Sequence, residues 1–132
     1  MTVGCLFCRP GTPGLNQVLA ENDTCYARWD NYPASPGHVE VVTRRHVGSV
    51  FDLTDEEAAD VWRLLRHARK VVEFAHGTPD GWTIVVNDGP AAGQTIPHLH
   101  LHLIPRRFGD VPDLRGGVRQ CAPNNDPDAW TA

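Results

Sequence analysis

No run of this 132-residue sequence stays apolar for the ~20 residues that a bilayer-spanning helix needs, so no membrane span is expected. The opening MTVGCLFCRP lacks a basic stretch followed by an apolar core; no secretory signal is expected, and a cytoplasmic location is. Positive charge is also short. Lys and Arg number 12 against 16 Asp and Glu, a net charge of -4. That argues against a nucleic-acid polymer as partner, while a small phosphate ligand needs only local donors. Cysteine is scarce, with four residues. Without export, these are expected to be reduced thiols or metal ligands rather than disulfides. No repeat or low-complexity segment occurs. The length fits one domain, residues 1–132, around one core.

What is present reads as alternating strand signals with one change of period. LNQVLAEND and TCYARWD look like two strands joined by a turn at Asn22–Asp23, and HVEVVT like a third. Thr54 followed by Glu57 has the spacing of a capping box. Ala58, Val61, Trp62, Leu65, Ala68, Val72 and Ala75 then recur at helical spacing until Gly77 and Pro79. This predicts one long amphipathic helix over 54–76 lying on a sheet. WTIVVN is a fourth strand and HLHLHLIP a fifth, with the glycine-rich NDGPAAGQT between them. Three strands before the helix argue against βαβ alternation. The fold class is therefore α+β, a five-stranded, mostly antiparallel sheet with one helix packed on it. A CxxC segment over 1–15 and a polar, Pro- and Gly-rich tail over 106–132 flank this body.

The fifth strand carries the chemistry. Side chains alternate across a strand, so His98, His100 and His102 share one face and Leu99, Leu101 and Leu103 the other. Residues two apart lie roughly 6.5–7 Å from each other, close enough for two imidazoles to address one phosphate or metal. Two chemistries remain open on this pattern: a metal site built from the histidines, or a histidine nucleophile with histidine neighbours. Gly93-Gln94-Thr95 just before the strand offers amides and a hydroxyl to phosphate oxygens. Cys5-Leu-Phe-Cys8 permits a redox pair or half of a zinc site. A thioredoxin-like pair would precede a helix, whereas Pro10, Pro13 and two glycines follow here. Zinc would need two more ligands, which histidine often supplies.

The run NDGPAAGQTIPHLHLHLIPRRFGD resembles the signature of the histidine-triad (HIT) superfamily, most closely its fragile-histidine-triad branch of dinucleoside polyphosphate hydrolases. GHVEVVTRRHV resembles that family's strand with its own histidine. The likeness covers roughly residues 5 to 119. It implies that His100 is the nucleophile, attacking the α-phosphorus to form a nucleotidyl-histidine that water then releases. His102 would hold α-phosphate oxygens, and His38 would be the fourth histidine of the site. Gln94 and Thr95 would hold phosphates or the leaving-group oxygen, and Asn87 the phosphate chain. Asp30 would bind the ribose hydroxyls, while Leu6, Phe7 and Trp29 line the base pocket or belong to the core. Some relatives carry a structural Cys2His2 zinc site. The resemblance places it at Cys5, Cys8, His46 and His98, so that His98 would serve metal while His100 and His102 serve catalysis. It also implies a homodimer joined sheet edge to sheet edge, and a nucleotide substrate, a purine one by preference.

Three features depart from the family pattern. Glu40 stands where an aliphatic residue is usual, Thr43 where proline is common, and the tail after Arg119 has its own sequence. Alternatives to the polyphosphate hydrolase are an adenosine phosphoramidase, a nucleotide sensor or partner-binding protein with little turnover, and a metal-dependent hydrolase. Arg115 and Arg119, which flank two glycines, are candidates for outlying phosphates.

Overall fold

The computed structural model describes residues 4–130. Five strands, β1 (Val18–Glu21), β2 (Cys25–Trp29), β3 (Val39–Thr43), β4 (Gly81–Val86) and β5 (His100–Arg106), form one sheet in the order β1-β2-β3-β5-β4. Every neighbouring pair is antiparallel. One helix, α1 (Asp55–His76), connects β3 to β4, and β5 returns to pair between those two strands. The expected α+β class and the long helix are both present.

The helix begins where its cap dictates. Thr54 Oγ1 accepts from Glu57 N at 3.1 Å, and Glu57 returns the contact by accepting from Thr54 N at 2.9 Å. Arg45 donates to both oxygens of the same carboxylate, at 2.8 and 3.1 Å. These donors, Arg45 first, hold the Glu57 carboxyl down at about 2. Glu57→Ala should therefore cost about 1–3 kcal/mol of stability. The sign follows from the depressed value. The contribution is complete above the unfolded carboxyl's 4.5 and is lost as pH falls through about 2, so urea melts of the two proteins should converge on acidification.

One face of the sheet and one stripe of α1 make the main core. Cys25, Ala27, Val39, Val41 and Leu103 meet Val61, Leu64, Leu65, Ala68 and Val72, all buried. The stripe differs from the expected one. Trp62 stands about 100° around the helix from Val61 and is exposed, as is Ala58. Ala75 is exposed in the last turn. Glu57 and Asp60 are buried in their stead because each has partners. Asp60 takes the Thr24 hydroxyl at 2.7 Å, and its carbonyl takes the Asn22 amide at 2.9 Å, tying the β1–β2 turn to the helix.

The opposite face carries a smaller apolar cluster of Phe7, Tyr26 and Val42, with Leu6, Val18 and Ile96 packed around it. Tyr26 donates its hydroxyl to the Phe7 carbonyl at 2.7 Å. Asn16 donates to the carbonyls of Leu6 and Arg9 at 2.9 and 3.1 Å. The N-terminal segment is thus pinned over the sheet, roofing the face that the helix leaves open. β5 begins at His100 rather than His98, because Leu99 N donates instead to the Val47 carbonyl at 2.7 Å.

Candidate active site under the N-terminal roof

Register decides which side chains meet. Arg28 pairs with Glu40, Glu40 with His102 and Val42 with His100, so these residues share one face with His38. Gly37 delivers the chain to His38. Its φ of +93° suits glycine, and a Cβ there would come within 2.9 Å of Val72 Cγ1. A cavity of about 390 Å³ opens above this face. Its lining includes His38, His100, His102, Asp30, Asn87 and Thr95, with Leu6 and Phe7 on the roof side.

The hydrogen bonds fix the histidine tautomers. The His98 carbonyl lies 2.8 Å from His100 Nδ1 and can only accept, so Nδ1 carries the proton and the Nε2 lone pair is free. Ala34 N donates to His38 Nδ1 at 3.0 Å, so the proton of neutral His38 sits on Nε2. That nitrogen donates to His102 Nδ1 at 2.9 Å, which puts the His102 proton on its own Nε2. One ring therefore offers a lone pair and its neighbour on β5 offers a donor. Burial lowers the pKa of His38, His98 and His100. His102 falls to about 4, through burial first and then through His100 and His38. The neutral rings that this relay requires are the favoured forms at neutral pH.

Two expected site residues lie elsewhere. Trp29 follows Arg28 by one position and so points to the helix side, where it packs on the main core and meets the His76 ring edge-on at 5.5 Å. Gln94 spends its side chain on the loop. It accepts from Gly89 N at 2.8 Å and donates to the carbonyls of Gly48 and Ile96 at 2.9 and 3.2 Å. The tail arginines are likewise engaged: Arg115 with Asp113 and Asp128, and Arg119 over the Trp130 ring at 4.6 Å. Conversely, Arg28 and Glu40 line the cavity, buried and paired with each other. Glu40 had been visible only as a departure from an aliphatic pattern, and Arg28 carries no motif.

Beside this cavity, four metal-type ligands converge: Cys5, Cys8, His46 and His98. Cys8 Sγ lies 3.2 Å from His46 Nδ1 and 3.5 Å from His98 Nδ1. Cys5 Sγ lies 3.4 Å from His98 Nδ1, and the two Nδ1 atoms are 3.1 Å apart. The edges of a tetrahedron with zinc–sulfur and zinc–nitrogen bond lengths run about 3.3–3.8 Å, so the donor set is close to that size. Orientation also fits. The Thr43 carbonyl, 2.7 Å from His98 Nε2, fixes the proton there and turns the Nδ1 lone pair toward the thiols. Two further trios, Asp30-His38-His102 and Glu40-His100-His102, also converge. In the first, both His38 nitrogens and His102 Nδ1 are already committed to hydrogen bonds.

Comparison with known proteins identifies the family. The HIT-domain family profile matches residues 15–109. The bifunctional bis(5'-adenosyl)-triphosphatase/adenylylsulfatase FHIT of Arabidopsis thaliana is 40% identical over 94 residues, 71% of this chain and 52% of that one. The bis(5'-adenosyl)-triphosphatase of Dictyostelium discoideum is 39% identical over 95 residues, 72% of this chain and 63% of that one. The chain thus spans between half and two thirds of the length of these two relatives. A zinc-bound histidine triad family protein from Mycobacterium smegmatis superposes with a TM-score of 0.70 at 30% identity, over 85% of this chain and 81% of that one. Sheet order, the histidine-lined cavity and a match running through most of the sequence together make this chain a member of the HIT-domain family.

Proposed function

We propose that this protein is a nucleotide hydrolase or transferase that cleaves an NMP–X bond, as in a dinucleoside polyphosphate such as diadenosine tri- or tetraphosphate. The observation that carries the reading is the tautomer set: His100 Nε2 unprotonated and facing the cavity, with a protonated His102 Nε2 beside it. His100 Nε2 attacks the α-phosphorus while the P–O bond to the leaving group breaks. The nucleotide is then held as a phosphoramidate on the ring. The Nδ1–H bond to the His98 carbonyl steadies the imidazolium charge that forms. His102 Nε2–H holds an α-phosphate oxygen as negative charge grows there. Asn87 and Thr95, both on the cavity lining, would hold the phosphate chain, and Asp30, on the same lining, the ribose hydroxyls. Water finally breaks the P–N bond and frees the monophosphate.

Cys5, Cys8, His46 and His98 would hold a structural zinc, with four protein ligands closing its shell. When bound, it would crosslink the N-terminal roof to the segment after β3 that carries His46 and the segment before β5 that carries His98. A homodimer fits the sheet as well, since β4 is an edge strand with Ile84 half exposed.

The test is monophosphate release from diadenosine tri- and tetraphosphate and from an adenosine phosphoramidate. Turnover of at least one is expected, and the preferred substrate identifies the leaving group. Binding of monophosphate without turnover of any would favour a sensor instead.

A further inference from the structure

Within the cavity, the phosphate chemistry proposed above leaves the Arg28–Glu40 pair unassigned. Both side chains are almost fully buried, at 3% and 6% exposure. Arg28 Nη1 donates to Glu40 Oε1, but Arg28 Nε and Nη2 are buried without any partner. Leaving two charged donors unmet in a closed space is costly, and replacing such a pair by apolar residues is often neutral or stabilising. Glu40 Oε2 lies 3.8 Å from His100 Nε2, on the same cavity lining. The Phe7 ring lies under the guanidinium, 5.3 Å from Arg28 Cζ, and 4.9 Å from the His100 ring. Leu6 and Ile96 add apolar walls. An aromatic ring, apolar walls and a row of fixed polar groups are what a flat heterocycle needs to be held and read.

The order of those groups selects the heterocycle. Arg28 offers two adjacent donors on one guanidinium edge, and Glu40 offers an acceptor next to them. The complementary edge has two adjacent acceptors followed by a donor. Guanine has this order in N7, O6 and N1–H. Adenine presents N7, then the N6 amino donor, then N1, and sets a donor against the guanidinium.

We propose that Arg28 and Glu40 form a base-reading pair that selects guanine over adenine in the nucleotide whose phosphate reaches His100. This rests on the nucleotide reading above and changes its base: a dinucleotide with a guanosine half would be preferred to the diadenosine compounds named there. The hydrolysed half of the dinucleotide is then the guanosine half.

Calorimetric titration with GMP and AMP tests it without requiring turnover. The native protein should bind GMP about tenfold or more tightly than AMP. In R28L/E40L, the ratio should fall to within a few-fold of one, with thermal melting showing that the protein is folded. If that double variant does not fold, E40Q serves, since exchanging the acceptor for an amide should reduce the ratio. Equal or tighter AMP binding by the native protein overturns the proposal, even if diadenosine substrates are cleaved. So does an unchanged GMP-to-AMP ratio in a folded variant whose turnover drops equally for every base, because the pair would then act at His100 and not on the base. Loss of all turnover with the GMP preference intact counts against the hydrolase reading alone.

Discussion

His100→Ala should release no measurable monophosphate, a loss of about 10³-fold or more, from a protein that remains folded. No other ring nitrogen in the cavity is arranged to substitute. His102 Nδ1 is held by His38, and its Nε2 carries a proton. His98 turns Nε2 to the Thr43 carbonyl and Nδ1 to the thiols. The variant forgoes one hydrogen bond to the His98 carbonyl and the contact with Phe7, a loss of about 1–2 kcal/mol within reach of a domain this size. The same logic predicts a mass increase of one nucleotidyl group on the native chain, trapped by acid-free quenching early in turnover, and none on the variant. Residual activity within tenfold of the native protein would mean that water, activated by another group, attacks phosphorus directly.

The second large effect concerns the cysteine–histidine cluster. Protein purified without chelator should contain one zinc per chain, and C5S/C8S should contain none. Its melting temperature should drop by about 10 °C. That figure corresponds to roughly 3 kcal/mol of linked binding energy at about 3–4 °C per kcal/mol. The N-terminal segment has the Asn16 and Tyr26 bonds besides the cluster, so the main sheet should remain. Turnover should fall as well, because Phe7 roofs the cavity and follows Cys5 by two residues. Metal analysis and melting separate the outcomes. A native protein free of zinc, or a variant that melts with it, would leave the four residues as a hydrogen-bonded core cluster only.

Local chemistry made much of this molecule legible in advance. The capping box at Thr54 and Glu57 fixed where the helix starts, because both partners lie within one turn. Strand alternation put His100 and His102 on one face, because the period of two depends on the backbone alone, whereas His98 lies just before the strand. The convergence of CxxC with distant His46 and His98 came only from family likeness, since no spacing rule connects positions 41 and 93 residues apart. Tertiary structure decided the rest. The stripe of α1 lost Trp62 and gained Asp60 and Glu57, because burial there depends on what the neighbouring turn donates and not on hydrophobicity. Trp29 fell on the wrong side of β2 for the cavity, and Arg28 on the right one, through one residue of register. Gln94 was claimed by its own loop. The isolated sequence showed which residue types were available and in what local period. Which of them face the same enclosed space, and with which ring nitrogen, is set by strand pairing and by the roof folding over it, both of them contacts between segments far apart in the chain.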